Sequence, residues 1–290
     1  MGTSTSYGGP TGTGSLLPPW ASEVPLEGSG QPPAGDGGDP NPNDDDEKKP
    51  DLPKNPTAPS NVTNWAAAKN SFTRYVTSVS SGTPNNANLH NAVSSFVHAQ
   101  GGSRGASRAS SAGKSTSRKL GAIFSSFATE GVVKTAQKYG LGDLTGLSVE
   151  ILLNRIVEAV SPSGISLEES VARNAAINTL EEVFEQYLIE DQGIESLESM
   201  GIDGVKNVLE KYLSNYIFIK ILDTLSQGSE KYSSEILVKA ELNTKSFITE
   251  SLRLDLNDID LLHINWREAE GSAIVTKIFD QAYQVFQGSL

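Results

Sequence analysis

The sequence predicts an all-α domain of seven or eight helices preceded by a long disordered leader. Three observations carry that reading. From residue 62 onward, apolar side chains recur at i, i+3, i+4 and i+7, the spacing that gathers them on one face of a helix. Residues 1–60 hold 12 of the 14 prolines and 10 of the 27 glycines. Such a stretch cannot bury enough apolar surface to offset the entropy of ordering it. No apolar run approaches the roughly 18 residues of a membrane span, and no basic-then-apolar signal segment opens the chain. The expectation is therefore a soluble, cytoplasmic protein.

The leader has two parts. Residues 1–20 are a tail of small residues ending in an apolar knot, Leu16, Leu17 and Trp20 around Pro18 and Pro19. Residues 21–60 are an acidic Pro/Gly linker. The remainder, 61–290, is long enough for a substantial core.

Within it, Trp65, Ala68, Phe72, Val76 and Val79 share a helical face, with Asn61 or Thr63 as cap. Leu89, Ala92, Val93, Phe96 and Val97 form a second. Residues 101–119, GGSRGASRASSAGKSTSRK, interrupt the pattern and read as a basic Gly/Ser/Arg loop or a loop-to-helix transition. Helical spacing returns at Phe124, Phe127, Ala128 and Val132 and stops near Gly140. Val149, Leu152, Leu153, Ile156, Val157 and Val160 follow, ended by Pro162 and Gly164. Ser166-Leu-Glu-Glu169 is a capping box opening a helix through Leu180, Val183, Phe184, Tyr187 and Leu188.

Asp203 is placed to cap the next helix, which bears Val205, Val208, Leu209, Tyr212, Leu213 and Tyr216. Its second half, Tyr216 to Leu222, is apolar on nearly every side, so it is expected to cross the centre of the core, with a short buried strand as the alternative. Residues 231–254 read as helix, although Leu252 to Leu256 alternates like a strand. Val275, Ile278, Phe279, Ala282 and Phe286 complete the domain. There is no internal repeat.

Composition excludes several kinds of chemistry. The absence of cysteine rules out disulfides, thiolate metal sites and cysteine nucleophiles. Three histidines leave little for a metal shell or a triad, and His90 and His98, eight apart, have no third ligand nearby. The net charge of −12 is unevenly spread: −4 over residues 1–100, +5 over 101–147 and −13 over 148–290. An acidic body repels nucleic-acid phosphate, so only the middle segment can attract a polyanion.

That segment carries Arg104, Arg108, Lys114, Arg118 and Lys119 with no acid among them. Three readings stay open: pairing with the acidic C-terminal half of the chain, contact with a protein partner, or contact with nucleic acid. The lack of interleaved aromatics weakens single-strand recognition. Gly113-Lys114-Ser115 resembles the end of a phosphate-binding P-loop, but Arg108 stands where the first glycine belongs and no buried strand precedes it. Asp39, Asn41 and Asn43 have calcium-loop spacing without the loop's glycine or terminal glutamate. Asp255, Asp258 and Asp260 read as a solvated helix end, and Glu181, Glu182 and Glu185 as a solvated face. No nucleophile, base and orienting group assemble from this sequence, so neither an enzyme nor a cofactor is expected.

The tail is the unusual feature. Removal of Met1 exposes the α-amine of Gly2, whose reference pKa near 8 leaves a useful neutral fraction. The opening Met1 to Ser6 fits the N-myristoylation pattern formally, but stable membrane anchoring takes a second signal and none is present. Thr3, Ser4, Thr5, Ser6, Tyr7, Gly8, Gly9 and Pro10 are small or flexible enough to thread into a partner's channel, with Leu16, Leu17, Pro18, Pro19 and Trp20 docking outside it.

MGTSTSYGGP, then LLPPW, a disordered stretch, GGSRGASR and a helical C-terminal region together resemble the QatB family, a component of the four-gene Qat anti-phage defence system of bacteria. The resemblance implies a non-catalytic subunit. It also implies as partners an ATPase (QatA), a protein resembling the 7-cyano-7-deazaguanine synthase QueC (QatC) and a TatD-like nuclease (QatD). QueC-type enzymes activate a deazapurine carboxylate with ATP and pass it to an amine, which makes Gly2 the expected modification site. The alternative is a scaffolding or nucleic-acid-binding adaptor that uses residues 104–119.

Overall fold

A computed structural model describes residues 65–144, 147, 149–161, 164–188, 194–229, 231–252, 256 and 259–288. The tail and linker, 1–60, and the Asn61 and Thr63 caps lie outside the described residues, as do Asp255 and Asp258. The described residues belong to one compact unit, 58–290. Its elements are α1 (Trp65–Ser80), α2 (Asn86–Ala99), α3 (Gly102–Arg108), α4 (Ser111–Glu130), α5 (Val132–Tyr139), α6 (Val149–Val160) and α7 (Leu167–Leu188). A 3-10 turn (Ile194–Ser199) leads into α8 (Gly201–Leu225), α9 (Ser234–Ser251) and α10 (Ala269–Gln287). No strand occurs among the described residues. The all-α expectation holds, and Tyr216 to Leu222 is helix.

Two helices exceed the expected count, both from one region. Residues 101–119 are not a loop: α3 and the first half of α4 occupy them. A separate break at Gly131, whose φ of 84° no other residue adopts readily, divides α4 from α5. The Gly and Ser content that suggested flexibility serves close packing instead. A Cβ on Gly113 would sit 2.6 Å from the Tyr216 ring, one on Gly121 would sit 2.6 Å from the Trp266 ring, and one on Gly105 would collide with the Gln100 carbonyl. Each glycine costs about 1 kcal/mol of helix propensity, and the tight helix contacts it admits offset that cost.

The core lies around α4 and α8. Every residue from Leu120 to Phe127 is buried, as is every residue from Tyr212 to Ile217. α4 packs against α6, α7, α8 and α10, whereas α8 also meets α1 and α9. In the buried stretch from Leu120 to Phe127, the hydroxyls of α4 find internal partners. Ser125 donates to the Leu261 carbonyl at 2.8 Å, and Ser126 pairs with Thr135 at 2.8 Å.

Of the two cap signals that the described residues test, one holds and one fails, and the structure adds a cap at Asn85. Asn85 accepts from the Ala87 and Asn88 amides at the start of α2. The Ser166/Glu169 box closes in both directions, at 3.0 and 3.2 Å. Asp203 does not cap α8. The chain arrives from the 3-10 turn with Met200 already helical, so Asp203 falls in the first turn, where its charge still favours the helix dipole.

Candidate functional site

The residues expected to contact a partner, Gly2 through Pro10 with Leu16, Leu17, Pro18, Pro19 and Trp20, lie outside the described residues. The basic segment is fully described, and the fold divides it into two settings.

The first is the α3–α4 junction. Glu168, at the start of α7, caps α4 from across the core: its carboxylate accepts from the Ala112 amide at 2.8 Å, the Gly113 amide at 3.0 Å and the Tyr216 hydroxyl at 2.8 Å. The helix start that resembles a phosphate loop thus holds a carboxylate of its own chain. Lys220 closes the other side, donating to the Ala109 carbonyl at 2.9 Å, Ser110 Oγ at 3.0 Å and the Tyr216 hydroxyl at 3.3 Å. Ser110 also meets the Tyr283 hydroxyl at 3.0 Å. Burial pushes the Lys220 amine down to about 8; Glu168 pulls it up and Lys114 pushes it further down. Burial raises the Tyr216 and Tyr283 phenols far above their ordinary value.

Neither Glu168 nor Lys220 stood out in the sequence. The available signal was Lys220 itself, a lone charge in the apolar run Tyr216 to Leu222.

The second setting is a groove of about 260 Å³ beside the middle of α4. Arg118 and Lys119 line it, joined by Arg267 from the loop before α10 and by Tyr139 and Trp266. Arg118 donates to Ser272 Oγ at 3.0 Å, which fixes its direction. Arg267 lies over the Tyr139 ring, 5.0 Å from its centre. The indole of Trp266 is anchored by its N–H to Ser125 Oγ at 2.9 Å and packs against Gly121, so it forms a rigid wall. No carboxylate occurs among the described lining residues.

None of the five predicted cations pairs with an acidic side chain among the described residues. The intramolecular reading of the segment therefore finds no support there. Arg104 and Arg108 sit exposed on α3, whose start meets Gln287 at the far end of α10 from Ser272. Fifteen helical residues separate those two anchors, about 22 Å. Among the described residues Lys114 reaches Ser107 Oγ, at 3.5 Å.

The remaining candidates are scattered. His90 packs its ring 4.3 Å from that of Phe247, and His98 is exposed. Asp260 pairs with His263. Glu182 departs from the solvated-face reading: it holds Lys245 at 2.5 Å and Lys211 at 3.5 Å, joining α7 to α8 and α9. Glu181 and Glu185 are exposed. No helix among the described residues is long and apolar enough to cross a membrane.

A family model described as "Qat anti-phage system associated protein QatB" matches residues 101–286, from the start of α3 to the end of α10. No curated protein and no solved structure matches the chain.

Proposed function

The chain belongs to the QatB family of the Qat anti-phage system, and from that premise we propose that it is a non-catalytic subunit that binds the system's QueC-like enzyme and presents Gly2 for modification. Membership places its partners within the Qat system. The observation that carries the finer reading is the composition of residues 1–20: a tiny second residue, a run of small uncharged residues, and an apolar Leu-Leu-Pro-Pro-Trp anchor at 16–20. An indole with nothing to contact has no use in a linker, whereas an indole at position 20 suits a docking contact.

The chemistry is acyl transfer. With Met1 removed, the neutral α-amine of Gly2 attacks a carboxyl carbon that the partner has activated with ATP. The amide bond forms, the adenylate leaves and the amine gives up a proton. Gly8 and Gly9 let the backbone approach the partner closely. The ATPase and the TatD-like nuclease of the system are further partners on this reading, and the protein works in the cytoplasm.

The test is the intact mass, and the mass of the N-terminal peptide, of the protein expressed alone and with the QueC-like partner. An added mass on Gly2 that needs the partner, and that is absent from Gly2→Glu, is the expected result. An unmodified Gly2 in both preparations refutes the modification and leaves a scaffolding role.

A further inference from the structure

We propose that the groove between α4, α5 and the loop before α10 binds a nucleoside phosphate of mononucleotide size, with the phosphate held by Arg118, Lys119 and Arg267. This inference does not depend on modification of Gly2. The first support is charge. In a chain of net charge −12, three cations converge on one concavity with no acid among its described lining residues. Among the described residues Arg118 has a serine hydroxyl as its partner and Arg267 a ring face, and neither they nor Lys119 form an ion pair there. Two nearby cations differ: Lys138 pairs with Glu130, and Arg173 with Glu158.

The second support is shape. The volume of about 260 Å³ lies just below the usual ligand-site range of about 300–1,000 Å³, the scale of a single nucleotide. Beside the cations the lining is apolar, made by Ala122, Ile123 and Ala159 with the Trp266 ring. A phosphate needs the charged end, and a planar base or sugar face suits the apolar end. Two guanidinium groups supply paired donors to phosphate oxygens, and the lysine adds a mobile point charge. Arg118 and Trp266 are held in place before any ligand arrives, so little order remains to be imposed on binding.

The test uses the full chain titrated separately with ADP, GDP, CDP and UDP, inorganic phosphate and a 20-nucleotide single-stranded DNA, read by calorimetry. The variants are Lys119→Gln, Arg267→Gln and, as the control outside the groove, Arg104→Gln/Arg108→Gln; each is first checked for an unchanged melting temperature. At least one nucleotide is expected to bind more tightly than inorganic phosphate. Either groove variant should weaken it about tenfold or more, the effect of one charge-assisted phosphate contact, and the α3 double variant should not change it. Three results overturn the proposal: no nucleotide binding at millimolar concentration, binding no tighter than inorganic phosphate, or DNA binding that the α3 double variant weakens as much as Lys119→Gln does.

Discussion

The α3–α4 junction and the Tyr139 groove draw on the same basic stretch of chain, yet they treat charge in opposite ways. At the junction, Glu168 meets two helix amides and a tyrosine, and Lys220 meets a carbonyl and two hydroxyls. In the groove, Arg118, Lys119 and Arg267 meet no acid among the described residues. The first arrangement satisfies buried polar groups and fixes two helices end to end. The second leaves positive potential facing a concavity. A run of like charges in sequence therefore does not by itself mark a binding surface; the groove differs from the exposed arginines of α3 in gathering its cations around a concavity.

Breaking the junction is expected to give the largest effect. Glu168→Ala removes the cap of α4, strands the Tyr216 hydroxyl and takes away the negative charge that offsets the half-buried Lys220 amine. Cap loss and an orphaned buried donor together cost about 3 kcal/mol. Urea denaturation measures it, and Glu168→Gln, which keeps an acceptor oxygen, should recover part of the loss. A destabilisation below about 1 kcal/mol would show that the junction does not hold α4.

Removing the packing role of the glycines comes next. Gly113→Ala and Gly121→Ala each place a methyl within 2.6 Å of an aromatic ring. Overpacking of this kind costs about 1–3 kcal/mol, which the alanine's gain of about 1 kcal/mol in helix propensity only partly offsets. Exposed Ser111→Ala on the same helix should change stability by less than about 0.5 kcal/mol. If the glycine variants are as stable as Ser111→Ala, these glycines are spacers with no packing role. Gly121→Ala also pushes on Trp266, so it should disturb the groove, whereas Gly113→Ala should leave the groove intact.

Those two glycines mark the limit of what the sequence disclosed. Eight amphipathic segments and the α7 capping box were legible, because each is written in residues a few positions apart; the centre of the core falls earlier in α8 than expected, at Tyr212 to Ile217, with Phe218, Ile219, Lys220 and Leu222 only partly buried. The helicity of 102–119 was not legible. Gly105, Gly113 and Gly121 read as breakers until their neighbours, Gln100, Tyr216 and Trp266, are known, and two of those three lie about a hundred residues or more away in the chain. The groove shows the same division. Arg118 and Lys119 were evident as charges, but Tyr139, Trp266 and Arg267 join them only through tertiary packing. Glu168 looked like an ordinary residue of the first turn of α7, with nothing local to tie it to the start of α4.

The finest separation of the two regions is by pH. The Lys220 amine is held down to about 8 in the folded protein, against about 10.4 in an unfolded chain. Below pH 8 both states bind the proton and it adds no slope. Between about pH 8 and 10.4 the folded state has released the proton and the unfolded state retains it, so the unfolded state binds more protons and stability rises with pH. Above about pH 10 the sign reverses. Tyr212, Tyr216 and Tyr283, whose phenols burial holds above their ordinary value, ionise only on unfolding. Lys220→Met keeps the apolar stem and should abolish the rise while leaving the fall. Subtracting its stability curve from that of the parent protein cancels the surface lysines. The difference should move in favour of the parent from pH 8 to pH 10. A curve for Lys220→Met that runs parallel to the parent would mean that Glu168 fully compensates the burial of Lys220, so that the junction would differ from the groove in packing and not in electrostatics.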